Sequence, residues 1–331
     1  MVSTPKIAIL DSARGVCAFI VALYHFLHFE NQHGAFIEKG NPVMNVVDPF
    51  IHGSICVFFV ISGYVMYLHL QRNNYSLSLF LPFMAKRLIR LMIPMFSCVI
   101  AILAINGLFQ AYLGDPILFS ARQFIANITL SANVVGEQWY NPIFWTLSVE
   151  FQFYLFLGLG YLLIRKNPFV AFILLAAIAL ALNYTFDTRG TLAEFGSYFI
   201  IGISMSLFVN KQLSGPQLLL IIAIGAADFI LNQALYYYVI PLLSVPVLLF
   251  VHGKHRFFEF LGETSFSFYL MHGLLGQWFL YFTLRYAEQN WQKVVLLLGA
   301  FVLAYLGSNV FYLLIEKPSL KLIKRIPYKH N

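Results

Sequence analysis

Apolar runs long enough to cross a bilayer recur along this chain, and that recurrence limits its fold more than any single motif. A membrane-spanning helix needs roughly 20 apolar residues. Ten runs qualify, at about 7–29, 49–70, 88–112, 142–164, 168–186, 192–209, 217–234, 237–252, 264–286 and 293–315. The fifth to eighth are short and closely spaced. Only 11% of the residues are charged, against about 25% in soluble domains, so a water-soluble globule is excluded. Disorder is excluded as well, because 34 Phe and 19 Tyr demand burial. The expected architecture is an all-α integral membrane protein of about ten transmembrane helices. It is organised as one transmembrane domain over residues 1–331, with no fused soluble domain. The first run carries Asp11 and Arg14 and lacks a small-x-small cleavage site, so it reads as a retained helix rather than a signal peptide.

The net charge of +7 would suggest a nucleic-acid partner in a soluble protein. Here no basic stripe lies on an exposed scaffold, and the charge is explained by topology. With the N-terminus cytoplasmic, sixteen of the 21 Lys and Arg fall on the inner side, including Arg14, Arg72, Lys86, Arg87, Arg90, Arg165 and Lys166. That bias follows the positive-inside rule and predicts an even number of spans, with both termini cytoplasmic. Cys17, Cys56 and Cys98 lie in apolar segments and are odd in number, which argues against a disulfide framework.

A charge near the bilayer centre costs about 2.5–3.5 kcal/mol, so those that persist usually face a cavity or a partner. Arg14 and His25 are eleven residues apart. On a helix that is three turns plus roughly 20°, so both lie on one face about 16 Å apart along the axis. Asp11 sits one turn before Arg14 and can pair with it. Glu150 lies about 12 Å inside the outer end of the fourth run, where an unpartnered carboxylate would need a His or Arg. His272 sits at a similar depth in the ninth. Each also has a bland reading, as a satisfied core histidine or a structural ion pair. Arg87 and Arg90, one turn apart, suit bidentate phosphate contacts as well as membrane anchoring. Ser62-Gly63 marks a close-approach position, which helix packing alone would explain. His25 and His28 are spaced i, i+3, but nothing completes a metal site at recognisable spacing, so no metal is expected.

These residues fall into a pattern. Arg14 followed by His25 resembles the Arg-x10-His signature of the membrane-bound acyltransferase-3 family. Phe58 to Tyr64 resembles its second-helix motif, and Arg87-Leu88-Ile89-Arg90 its basic RxxR. Trp145-Thr146-Leu147-Ser148-Val149-Glu150 is similar to its WSLSxE motif, Thr264 to His272 to its SYSxYLxH motif, and Glu316-Lys317-Pro318 to its E-x-P. Each is weak alone, and six in family order are specific. Thr146, Phe151 and Phe268 depart from the commoner Ser, Glu and Ile.

The resemblance implies an O-acyltransferase, most often an O-acetyltransferase, of the cytoplasmic (inner) membrane. It would move an acyl group from acyl-CoA to a hydroxyl of a cell-surface glycan or lipid-linked saccharide. Acyl-CoA is then a donor substrate and no cofactor is permanently bound. Arg14, Arg87, Arg90 and Ser62 are the expected acyl-CoA contacts. His25 is the expected general base, worth typically 10²–10⁴-fold, with Glu150 assisting it. Asp11, Trp145, Ser148 and His272 are expected to support or line the pocket. Direct transfer and a covalent acyl-histidine both fit. Trp139 and Tyr140, in the run-free stretch 113–141, either stack on sugar or form the interfacial belt. A proton-coupled transporter is the alternative for intramembrane His, Glu and Arg, but no internal repeat supports it.

Overall fold

Within a hydrocarbon layer every backbone N–H and C=O must be paired inside the protein, so long apolar runs become helices. The structure, a computed structural model, describes residues 8–31, 34–37, 40–113, 119–186, 188–232, 236–250 and 256–327. In chain order the helices are α1 (Ala8–Leu27), α2 (Pro42–Arg72), α3 (Phe80–Leu113), α4 (Ala121–Ile128), α5 (Ala132–Val135), α6 (Phe144–Lys166) and α7 (Pro168–Thr185). There follow α8 (Leu192–Val209), α9 (Gly215–Asn232), α10 (Tyr236–Phe250), α11 (Arg256–Glu263), α12 (Ser265–His272), α13 (Trp278–Thr283), α14 (Asn290–Phe311) and α15 (Lys317–Ile323). Between α1 and α2 two-residue strands pair antiparallel, with Glu30 opposite Ala35.

Among the described residues seven helices are long and apolar enough to cross a membrane: Ile9–Leu27, Pro42–Arg72, Leu77–Ala111, Phe144–Lys166, Pro168–Thr185, Leu192–Val209 and Asn290–Ile323. The expectation of an all-α membrane protein holds. The other three expected runs are helical as well. Helices α9 and α10 cover the seventh and eighth runs, and α10 carries Pro241 and Pro246, neither of which can donate a helix hydrogen bond. The run at 264–286 stays helical from Ser265 to Tyr286, with a π turn at Gly273–Gln277 and a closing 3₁₀ turn at Leu284–Tyr286.

The chain packs as two compact units: Met1–Phe58 with Tyr236–Glu316, and Phe59–Leu235 with Lys317–Asn331. In the first, small residues let helices come close. Ala18 and Ala22 of α1 and Ala300 and Ala304 of α14 join Phe26, Phe268 and Leu280 in one buried core. Gly15 and Gly262 bring α1 against α11 at backbone distance, since a Cβ on either would strike the facing chain. In the second unit α6 packs on α3, α7 and α8. Gly63 and Gly202 perform the same service there: a Cβ on Gly63 would meet the Phe199 carbonyl, and one on Gly202 the Val60 carbonyl. The turn from α6 to α7 is tight because Asn167 caps α7, its Oδ1 accepting from Val170 N at 3.3 Å, while Pro168 supplies the first helical residue.

Candidate active site

The expected site residues are distributed over both units, and each unit builds a cluster of its own. In the first, Arg14 and His25 lie on the continuous helix α1, so the spacing of about 16 Å holds. Asp11 and Arg14 are half-buried. His25 is near the end of α1, and its ring stands 5.2 Å from that of His272. His272 is 1% exposed. Its Nδ1 lies 3.3 Å from the Phe268 carbonyl, which can only accept, so Nδ1 carries the hydrogen and Nε2 is left as the basic nitrogen. Gln277 Nε2 donates to the His25 carbonyl at 3.2 Å.

Helix α12 is aimed by two devices. Glu316, 3% exposed, accepts from Ser267 N at 3.1 Å and from the Ser267 hydroxyl, which pins the first turn. A carboxylate on first-turn N–H groups also complements the helix dipole. Past His272 the π turn places Gly276 against the Phe26 ring, where no Cβ would fit. Single π turns in helices are frequent at functional sites. Glu316 of the E-x-P motif thus orders the helix that carries His272.

Around His25 the first unit gathers more polar rings than sequence spacing foretold. Tyr24 lies 3.9 Å from the His28 ring and 5.9 Å from His52. His28 Nε2 pairs with Asp48 Oδ1 at 3.4 Å. His52 and Asp48 belong to α2, so only the tertiary fold reveals them. Among the described residues no group of three or more His, Cys, Asp or Glu has the geometry to hold a metal ion.

The second unit builds its cluster around Glu150 of α6. Two hydroxyls address its Oε1: Tyr154, one turn on, and Ser62 of α2 at 3.3 Å. Ser62 was expected on acyl-CoA; here it donates to the carboxylate, while its neighbour Gly63 does the packing. Tyr154 was overlooked because an aromatic residue in an apolar helix passes for core, although its i+4 spacing from Glu150 was a usable signal. The Arg87 guanidinium lies over the rings of Tyr154 and Phe83, at 6.0 and 5.7 Å. Arg87 is 9% exposed, whereas Arg90 is half-buried. The Ser148 hydroxyl donates to the Leu130 carbonyl at 2.7 Å and accepts from Gln152 at 3.3 Å, so its hydrogen is committed to holding the loop before α6. Trp145 packs on Phe195 and Phe59.

In the loop before α6, Trp139 Nε1 donates to Asn133 at 2.7 Å and Glu137 pairs with Arg122 at 2.9 Å. Burial raises the Tyr140 phenol above its ordinary range, and the Glu137 carboxylate adds to that. His33, between the first and second apolar runs, and Asp115, between the third and fourth, lie outside the described residues.

Long apolar helices, with histidines and a carboxylate inside them, define a multi-pass α-helical membrane protein. Residues 7–313 match the acyltransferase domain model of the acyltransferase-3 family, and the chain belongs to that family. It is a membrane acyltransferase. No curated protein and no solved structure matches the chain significantly.

Proposed function

We propose that this acyltransferase works as a single transmembrane domain of the cytoplasmic membrane, with both termini cytoplasmic. It transfers an acyl group, most often acetyl, from acyl-CoA to a hydroxyl of a cell-surface glycan or lipid-linked saccharide. The observation that carries this reading is the His25 imidazole on the Arg14 helix, held beside His272 by the α12 cap and the π turn. His25 removes the acceptor hydroxyl proton as the oxygen attacks the thioester carbonyl. The C–S bond then breaks, and the imidazolium returns that proton to the CoA thiolate, so ester and free thiol form with no net proton change. Glu150 is the second catalytic group, kept in one orientation by Tyr154 and Ser62. Arg14, Arg87 and Arg90 are the proposed phosphate contacts, and the half-buried Arg14 and Arg90 are the more accessible of the three.

The test supplies purified protein with radiolabelled acetyl-CoA and membranes bearing surface glycan. Label in glycan or lipid-linked sugar that disappears with His25→Ala supports the reading. Label transfer at an unchanged rate in that variant eliminates His25 as the base. Substrate crossing sealed vesicles without acylation would instead establish a carrier.

A further inference from the structure

An apolar cavity of about 430 Å³ lies within the second unit, walled by α6, α7, α8 and α9. Phe153, Phe156, Phe172, Ile200 and Ile221 form its body, and Glu150 is not among its walls. A hydrocarbon-lined space gives water no partners. Left empty, it forfeits dispersion contacts along its walls. The cavity exists partly because residue 196 of α8 is glycine: a Cβ there would meet nothing within 4 Å.

Three polar residues that line the cavity, Gln152, Thr188 and Thr191, already have partners. Gln152 Oε1 accepts from Leu192 N at 3.0 Å, and Thr191 donates to the Thr188 carbonyl at 2.6 Å. Thr188 bonds to Asn183. Ser197 is different. It also lines the cavity, and its buried hydroxyl has no hydrogen-bond partner among the described residues. A helical serine commonly donates to the carbonyl one turn back. That carbonyl, of Ala193, accepts instead from Asn183 Nδ2 at 3.4 Å. No Lys, Arg or His lines the space.

We propose that this cavity binds one fatty-acyl chain of an ester lipid drawn from the surrounding bilayer. The tail lies among the phenylalanines, the ester carbonyl accepts the Ser197 hydrogen, and the head projects past Thr188 and Thr191. Three of the four wall helices, α6, α7 and α8, are long and apolar enough to span the membrane, so lipid is the medium on offer. An idle buried donor calls for an acceptor at that depth, which an ester supplies. An isoprenoid phosphate carries no carbonyl for Ser197, and its charged head would find no cation among the lining residues. The proposal does not depend on the acyl-transfer reading.

The experiment exposes the purified full chain in detergent to a diazirine-bearing monoacylglycerol, with unlabelled monoacylglycerols of increasing chain length as competitors. Cross-links are expected on the cavity-lining residues of α7 and α8. Competitor affinity should rise about fourfold per methylene until the chain fills the space, and then level off. Gly196→Leu should abolish labelling while holding or raising the thermal midpoint, because leucine fills the void and glycine is a poor helix residue. Ser197→Ala, a smaller change, should keep the chain-length series but lose a several-fold preference for the ester over its ether analogue. Labelling spread over faces outside the cavity and unaltered in Gly196→Leu would overturn the proposal. So would a polyisoprenyl phosphate that competes better than the ester.

Discussion

At the residue scale the histidine and the carboxylate make separable predictions. His25→Ala should leave the protein inserted and lower acyl transfer by about 10²–10⁴-fold, the range of a lost general base, as read by transfer of radiolabelled acetyl. Tyr154→Phe keeps the ring under Arg87 and removes one hydroxyl from Glu150. A hydrogen bond to a charged group contributes about 1.5–3 kcal/mol, so turnover should drop roughly ten- to a hundredfold with KM for acyl-CoA unchanged. An equal loss in KM would place Tyr154 in donor binding instead. Arg14→Ala should weaken CoA binding measured by calorimetry, with Arg14→Lys restoring only part, since lysine lacks the planar fork. Arg14, His25 and Glu150 were legible because charge inside an apolar run is expensive enough to stand out. The Ser62 contact was not, since its partner lies 88 residues further along the chain. The engagement of Ser148 with the Leu130 carbonyl was hidden for the same reason.

At the element scale, the apolar runs made the helices readable, whereas their local winding is set by tertiary contacts. The stretch at 264–286 has the composition of one span. Its backbone changes register after His272 because Gly273–Gln277 adopts a π turn and Gly276 must yield to Phe26. No local rule foretells that, because Phe26 arrives from α1. The placement of α12 is testable through its cap. Glu316→Ala removes the acceptor of Ser267 N in a buried place, and an unsatisfied buried donor costs about 1–3 kcal/mol. The thermal midpoint should therefore fall, and acyl transfer should fall further than stability alone explains, because α12 carries His272. Glu316→Gln keeps one acceptor oxygen and should recover most of the midpoint. If both variants match the parent in turnover, the cap has no bearing on the site. Gly63→Val offers a contrasting case: the valine would press on the Phe199 carbonyl, and overpacking of this kind costs about 1–3 kcal/mol without touching Glu150 directly.

At the scale of the whole molecule, burial and charge together predict which loops share a side of the membrane. In the second unit α6 and α7 form a hairpin about Asn167, so the ends of the two helices away from that turn lie toward the opposite side from it. The 23 residues of α6 span about 35 Å, enough for the hydrocarbon core. By the positive-inside rule, Arg165 and Lys166 would put the turn on the inner side, as Arg72, Lys86, Arg87 and Arg90 would put the connection from α2 to α3. The few cations between α3 and α6 and between α7 and α8, Arg122 and Arg189, would put those connections on the outer side. The three native cysteines are buried, so thiol labelling has little background. Ser78→Cys and Lys166→Cys should resist a membrane-impermeant maleimide in intact cells and react after the membrane is opened. Val134→Cys and Arg189→Cys should react in intact cells. Labelling of Lys166→Cys and Val134→Cys from the same side would contradict the charge argument and the single crossing of α6. That outcome would also remove the reason for placing acyl-CoA at Arg14 and the acceptor at the far end of α1, because the direction of transfer rests on the same asymmetry of charge.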